Sequence, residues 1–338
     1  RAPSSRSPAR GPRELDMARL SELIPRPLLA DAAMGTELIR RGAGSELPLE
    51  LLNLTQPERV QAVHRACVAA GAQVLFTNTF SAALAGPMPG GLAGSLPGRP
   101  GWGSSEAAEK LGDRISGSVV AGHGWLFGQT STASLQEVNA AAVRLARATG
   151  GPATLVAGSI AVAAARTVPS YAAQAEALAG ADFLALETAT SLPLLRRALE
   201  GVRQVSQLPL LCLLSFDRQG RLDGLPAAAV AHALWEAGCD AFGGGCGFGP
   251  AHALPLLAEL CAAAPQALIA AKPNAGLPVQ EAAGLHWPVS STEFGRFASA
   301  ALHLGVRLVG GCCGTRPAHI QSMREAFSAS DQGQTPNR

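Results

Sequence analysis

From residue 27 onward one phrase of hydrophobic and polar positions recurs along the chain. An Ala/Leu-rich helical run is followed by a glycine, then by a short apolar strand that ends on polar residues. The clearest copies are AAGAQVLFTNT around Gly71, LAGADFLALET around Gly180, EAGCDAFGGGC around Gly238 and LHLGVRLVGGCC around Gly305. A glycine just past a helix is the usual left-handed stop, and two or three residues is the usual length of a loop from helix to strand. The most regular helix is predicted over 57–70: Pro57 suits a first turn, Thr55 and Glu58 have capping-box spacing, and Val60, Val63, Cys67 and Ala70 share one face.

Counting the less regular copies, strands are predicted near 27–31, 73–79, 154–159, 183–188, 208–216, 241–246, 267–273 and 306–312, with a last helix from about Pro317 to Phe327. Their apolar runs are nearly continuous, as in parallel strands buried on both faces. Eight βα units in one chain predict an α/β fold, a single-domain (β/α)8 TIM-type barrel rather than an open doubly wound sheet. The domain is expected over 21–328, between a disordered leader at 1–20 and a disordered tail at 329–338. Segment 82–135, rich in Gly and Pro and without a sustained period, is expected to be an irregular insert after strand 2. Its composition can bury little, so a disordered insert is favoured over an active-site lid.

Composition narrows the function classes. The chain has 338 residues, 47% of them hydrophobic, so a large core is available. A formal net charge of +2 without blocks of like charge argues against nucleic acid or an anionic membrane as partner. The longest apolar stretches, such as Leu155 to Ala165, are too short or too broken to span a bilayer. The first sixteen residues carry Arg, Pro and Ser without an apolar core, so they do not form a secretory signal. Seven scattered cysteines do not suggest a disulfide framework, and a reducing cytoplasmic setting with thiols free for metal fits better.

In a barrel of this kind the chemistry gathers at the C-terminal ends of the strands. Those ends carry Asp31, Thr77-Asn78-Thr79, Ser159, Glu187-Thr188, Ser215 with Asp217, Cys246, Lys272 with Asn274, and Cys312-Cys313. Cys246 ends strand 6 in GGGCGFGP and Cys312-Cys313 end strand 8 in GGCCG, so the three can meet above the barrel. Three thiolates suit Zn²⁺ and leave its fourth tetrahedral position open, the mark of a catalytic site. Such a site has a formal charge of −1, a poor polariser of water but able to take the proton from an incoming thiol while its sulfur stays nucleophilic. Alkyl transfer to sulfur fits better than hydrolysis. Cys67, Cys212, Cys239 and Cys261 read as core cysteines. Asp31 and Glu187 can receive an α-ammonium group, or can cap loop amides. The amides of Ala32 and Ala33 are candidates for the carboxylate. His64 and His319 read as surface or packing residues, and Lys272 as a residue facing solvent beside Asn274.

The segments DAAMGTELIRRG (31–42), NLTQPERVQAVHRACVAAGAQVLFTNTFSA (53–82), VAGSI (156–160), GADFLALET (180–188), SFDRQGRLDG (215–224), GCGFGP (245–250), PNAGLP (273–278) and GGCCGTRPAHI (310–320) resemble the homocysteine S-methyltransferases. That group includes S-methylmethionine- and betaine-dependent enzymes and the homocysteine-binding module of cobalamin-dependent methionine synthase, and the wording of the motifs is most similar to that module. The resemblance implies zinc on Cys246, Cys312 and Cys313, homocysteine sulfur as the exchangeable ligand, and Asp31 and Glu187 binding the amino group. The implied product is methionine. No cobalamin or folate domain is expected here, so the methyl donor is expected to be a free small molecule or a methyl-corrinoid protein. The alternatives are a zinc-thiol binding protein without turnover and the homocysteine-binding subunit of a split corrinoid methionine synthase. Gly245 stands where the family usually has Asn, and Ala161-Val162 stand where it has Gly-Pro.

Overall fold

The computed structural model describes residues 19–43, 48–83, 133–239, 241–281 and 284–333. Eight parallel strands form one sheet: β1 (Leu28–Leu29), β2 (Val74–Phe76), β3 (Leu155–Ala161), β4 (Phe183–Ala189), β5 (Leu210–Leu214), β6 (Ala241–Cys246), β7 (Leu268–Pro273) and β8 (Leu308–Val309). The spatial order is β1-β8-β7-β6-β5-β4-β3-β2. A parallel bridge between Ala30 and Val74 brings β1 back to β2 and closes the barrel. All eight strands lie where the repeating phrase predicted them, and the (β/α)8 barrel is the observed fold.

Eight helices alternate with the strands: α1 (Pro57–Ala70), α2 (Leu135–Gly150), α3 (Val168–Ala177), α4 (Leu192–Arg203), α5 (Ala227–Glu236), α6 (Pro250–Ala263), α7 (Ser291–His303) and α8 (Pro317–Gly333). Helices α2 and α7 are fixed at their starts by reciprocal Ser/Glu capping boxes, Ser134 with Glu137 and Ser290 with Glu293, and α3 by Thr167 with Ser170. Helix α1 is not. Its N-cap is Gln56, and Thr55 ends a preceding short helix, donating its hydroxyl to the Leu51 carbonyl at 3.0 Å. The local competition of a threonine hydroxyl for the preceding turn removes it from the expected cap. Helix α8 runs beyond the expected Phe327.

The strand period of two divides the core in two. Leu28, Ala30, Val74, Phe76, Ala157, Phe183, Ala185, Leu211, Leu213, Ala241, Leu268, Ala270 and Leu308 fill the barrel interior. Leu29, Leu75, Val156, Leu184, Leu186, Cys212, Phe242 and Ile269 face outward into the shell of helices. Cys67 and Cys239 join that shell, with Cys261 packed against it, so these four background cysteines are packing residues as expected. Leu20 and Ile24 complete the interior cluster, and Arg307 donates to the carbonyls of Ser21 and Ile24. The described part of the barrel therefore begins within the stretch expected to be leader. Residues 1–18, 84–132 and 334–338, which hold most of the expected leader and insert and half of the expected tail, lie outside the described residues, while 329–333 continue α8. Among the described residues no helix is long and apolar enough to cross a membrane.

Candidate metal and substrate site

The inward positions change character toward the C-terminal ends. Two residues beyond Ala157 comes Ser159, two beyond Ala185 comes Glu187, two beyond Leu213 comes Ser215, and two beyond Ala270 comes Lys272. All four are buried. Above the apolar interior Ser159, Glu187 and Lys272, with Cys246 at the end of β6 and the loops after β1, β2 and β8, enclose a cavity of about 170 Å³.

The cysteines converge on its wall. The sulfurs of Cys246, Cys312 and Cys313 lie within 4.8 Å of one another, and those of Cys312 and Cys313 are 4.0 Å apart. Thiolates on a tetrahedral zinc at about 2.3 Å would stand roughly 3.8 Å apart, so the donor set fits a metal after only a slight contraction. Cys246 holds a backbone φ of 60°, rare for a residue with a side chain. That conformation takes its side chain out of the strand's alternation toward the other two. The glycines before it have a packing reason as well: a Cβ on Gly243 would meet the Ala270 carbonyl oxygen at 1.8 Å.

The three thiols polarise one another. Donation from Cys312 and Cys313, aided by Asn274 and the Gly247 amide against the cost of burial, holds Cys246 well below the ordinary thiol range. The same bond to Cys246 pushes Cys312 up to about 12, and Cys313 is raised as well. Three half-buried thiols that already bond to one another are a set whose protons a metal cation readily replaces.

Glu187 sits in the same cavity. Burial pushes its carboxyl up to about 7, with Cys312 and Asp31 acting in the same direction and Lys272 and the Ser159 bond against it. The Ser159 hydroxyl donates to Glu187 Oε1. Next to Glu187, Thr188 has φ 60° at the point where the β4–β5 register shifts, a bulge that ends the regular pairing.

Asp31 is engaged differently from the expectation. Its Oδ1 accepts from Lys272 Nζ at 2.9 Å and its Oδ2 from the Phe76 amide at 2.8 Å. Both oxygens already have partners before any ligand enters. Lys272, expected to face solvent, is instead buried with its ammonium 3.4 Å from the centre of the Phe76 ring. Burial opposes its charge, but Asp31 and Glu187 outweigh that and raise its pKa. The alternation from Leu268 through Ala270 to Lys272 was the signal that would have turned it inward. One of the amides proposed for a carboxylate is also engaged: Ala33 donates to Thr315 Oγ1 at 3.1 Å.

Of the remaining strand-end residues, Thr77 and Thr79 share a bond at 2.7 Å and Asn78 ties to the Leu49 carbonyl, so they shape the wall. Ser215 donates to the Gly245 carbonyl at 2.8 Å. A Cβ on Gly245 would meet Leu213 Cβ at 2.9 Å, so this barrel accommodates glycine where the family usually has Asn. Ala161 and Val162 are buried, and the Val162 amide donates to the Glu187 carbonyl at 2.9 Å, which keeps that wall intact. His64 is fully buried in α1, where burial lowers its pKa to about 4, and His319 is bonded to the Val289 carbonyl. Neither reaches the cysteines.

Comparison with known proteins bears on the family and the fold. A model of the family described as homocysteine S-methyltransferase matches residues 28–327. Methionine synthase of Mycobacterium leprae (strain TN) is 28% identical over 339 residues, covering 96% of this chain and 26% of that protein. The chain thus spans about a quarter of the length of that relative. Homocysteine S-methyltransferase YbgG of Bacillus subtilis (strain 168) is 28% identical over 309 residues, covering 88% of this chain and 93% of YbgG. The metallated form of the homocysteine methyltransferase MmuM from Escherichia coli superposes with a TM-score of 0.62 at 22% identity, covering 90% of this chain and 99% of MmuM, which bears on the fold. The match takes in every strand of the barrel and all three clustered cysteines, and the chain belongs to the homocysteine S-methyltransferase family.

Proposed function

We propose that this chain transfers a methyl group to the thiol of homocysteine, giving methionine, with zinc held by Cys246, Cys312 and Cys313. The observation that carries this is the meeting of three thiols within 4.8 Å on the wall of a cavity that also contains the buried Glu187. Zinc bound there would lower the pKa of an incoming thiol while three thiolates keep the site electron-rich. The protein's own part is to select and orient. Glu187 receives the substrate's ammonium, Ser159 fixes the carboxylate that does so, and the walls from β2 and from the loop after β1 exclude water from the reacting sulfur. A cytoplasmic location fits, because a reducing compartment keeps the three cysteines available for metal.

The donor is proposed to be a free small molecule of the S-methylmethionine or betaine kind. The match to about a quarter of a methionine synthase favours a second reading, in which a methyl-corrinoid protein supplies the methyl group. Incubation of the zinc-loaded protein with homocysteine and S-methylmethionine, betaine or methylcobalamin, followed by quantification of methionine, tests both. Methionine from a sulfonium or ammonium donor supports the first, and methionine from methylcobalamin alone supports the second. Tight thiol binding with no methionine from any donor would overturn the enzymatic proposal.

A further inference from the structure

Glu187 gives the cavity a partner for an ammonium group, but an amino acid also brings a carboxylate into this buried space. A carboxylate left without a donor there would be costly. The amide of Ala33 is taken by Thr315. Asn78 spends its amide on the Leu49 carbonyl and the Asn53 oxygen. Among the described residues lining the cavity, the one cation is Lys272.

The placement of Lys272 suits this task. Its ammonium is locked between Asp31 Oδ1 at 2.9 Å and the Phe76 ring at 3.4 Å. Asp31 is in turn fixed by the Phe76 amide, so the three residues hold one another. A lysine ammonium has three donors. Asp31 is the one hydrogen-bond acceptor that the described residues give it, which leaves donor capacity toward the cavity. A buried ammonium held this rigidly loses little freedom when it takes a second anion.

We propose that Lys272 receives the α-carboxylate of the thiol substrate, while Glu187 receives the ammonium and Asp31 serves as the anchor of Lys272. This rests on homocysteine being the substrate, and it changes the role of Asp31 from ammonium receptor to positioning residue. The site then recognises both charged ends of the amino acid with charges of its own, on β7 and β4, on either side of the β5–β6 segment of the barrel wall.

Two thiols separate the two ends. 4-Mercaptobutyrate is homocysteine without its amino group, and 3-mercaptopropylamine is homocysteine without its carboxylate. Binding of each to the zinc-loaded protein is measured by calorimetry. In Lys272→Met, homocysteine and 4-mercaptobutyrate should weaken by more than about tenfold, the scale of a lost hydrogen bond to a charged group. 3-Mercaptopropylamine should hold or gain affinity, because Asp31 is freed for its ammonium. Lys272→Arg, which keeps the charge, should restore most of the loss. Equal weakening of both analogues, or no change in either, would overturn the assignment of Lys272 while leaving homocysteine as substrate. A wild-type protein that binds none of the three thiols would overturn the substrate reading itself, and this assignment with it. Should Lys272→Met fail to fold, Lys272→Gln gives the same comparison: 4-mercaptobutyrate weakened with 3-mercaptopropylamine unchanged supports the carboxylate role, and the reverse pattern overturns it.

Discussion

Strand β4 fills its inward positions with Phe183, Ala185 and Glu187 from the N-terminal to the C-terminal end, and β7 fills its own with Leu268, Ala270 and Lys272. At the lower end Phe183 packs edge-to-face on Phe76, with ring centres 6.3 Å apart, among Leu28, Val74 and Leu211. At the upper end the same periodicity delivers a carboxyl pushed up to about 7 and a buried ammonium paired to Asp31. The lower barrel gains stability from apolar burial. The upper barrel buries ionisable groups whose desolvation is only partly offset by their partners. Stability and chemistry are thus separated along each strand rather than between strands, and substitutions at the two ends should have different consequences.

The sharpest break comes from the cysteines. Cys312→Ala should reduce methionine formation from homocysteine to background while the chain stays folded, because Cys312 belongs to no apolar cluster; an active Cys312→Ala protein would remove the metal site from the proposal. Next is the lower barrel: Leu211→Ala should cost about 2–5 kcal/mol in a urea unfolding experiment. The fraction that remains folded should bind homocysteine as the wild type does, so an affinity change without a stability loss would contradict the separation of the two ends.

Glu187→Gln should do the converse, weakening homocysteine by roughly 2–5 kcal/mol in a binding titration. Its effect on stability has a sign set by its raised pKa. The group goes from an ordinary 4.5 to about 7 in the folded chain. The folded state therefore holds the proton more tightly, and the stabilisation from that proton is complete below about pH 4.5. It is lost as pH rises through 7, to a total of about 3 kcal/mol. Unfolding curves of metal-free wild type and Glu187→Gln should consequently shift in favour of the variant over that window. Parallel curves would show that Glu187 is not buried as a charge. The smallest effect is expected at Cys261, which packs at the edge of the helix shell: Cys261→Ala should change stability by under about 1 kcal/mol and leave metal content unchanged.

The fold was legible because the repeating phrase is a local signal: Ala/Leu helix, left-handed glycine, apolar run. Gly71, with φ 112°, does close α1 in the expected way. The cysteine cluster was legible because strand ends in this fold share one face, so Cys246 and Cys312-Cys313 could be placed together without any distance. What escaped depends on pairings across the barrel. Nothing local to AAKPNAG announces that Lys272 reaches Asp31, separated from it by 241 positions. Thr315, which takes the Ala33 amide, is likewise 282 positions away. Thr55 misled for the opposite reason, since a short helix ahead of α1 claimed its hydroxyl. Strand alternation was the unused clue, because it orients Glu187 and Lys272 by the same rule that orients Phe183 and Leu268.

The most direct test is metal analysis of the purified protein and of its single cysteine variants. A site that needs all three thiolates predicts about one zinc per chain in the wild type, loss of that zinc on changing Cys246, Cys312 or Cys313 to Ala, and full zinc in Cys67→Ala and Cys261→Ala. A Cys312→Ala protein that keeps its full zinc, or a wild type that binds none when zinc is supplied, would contradict it.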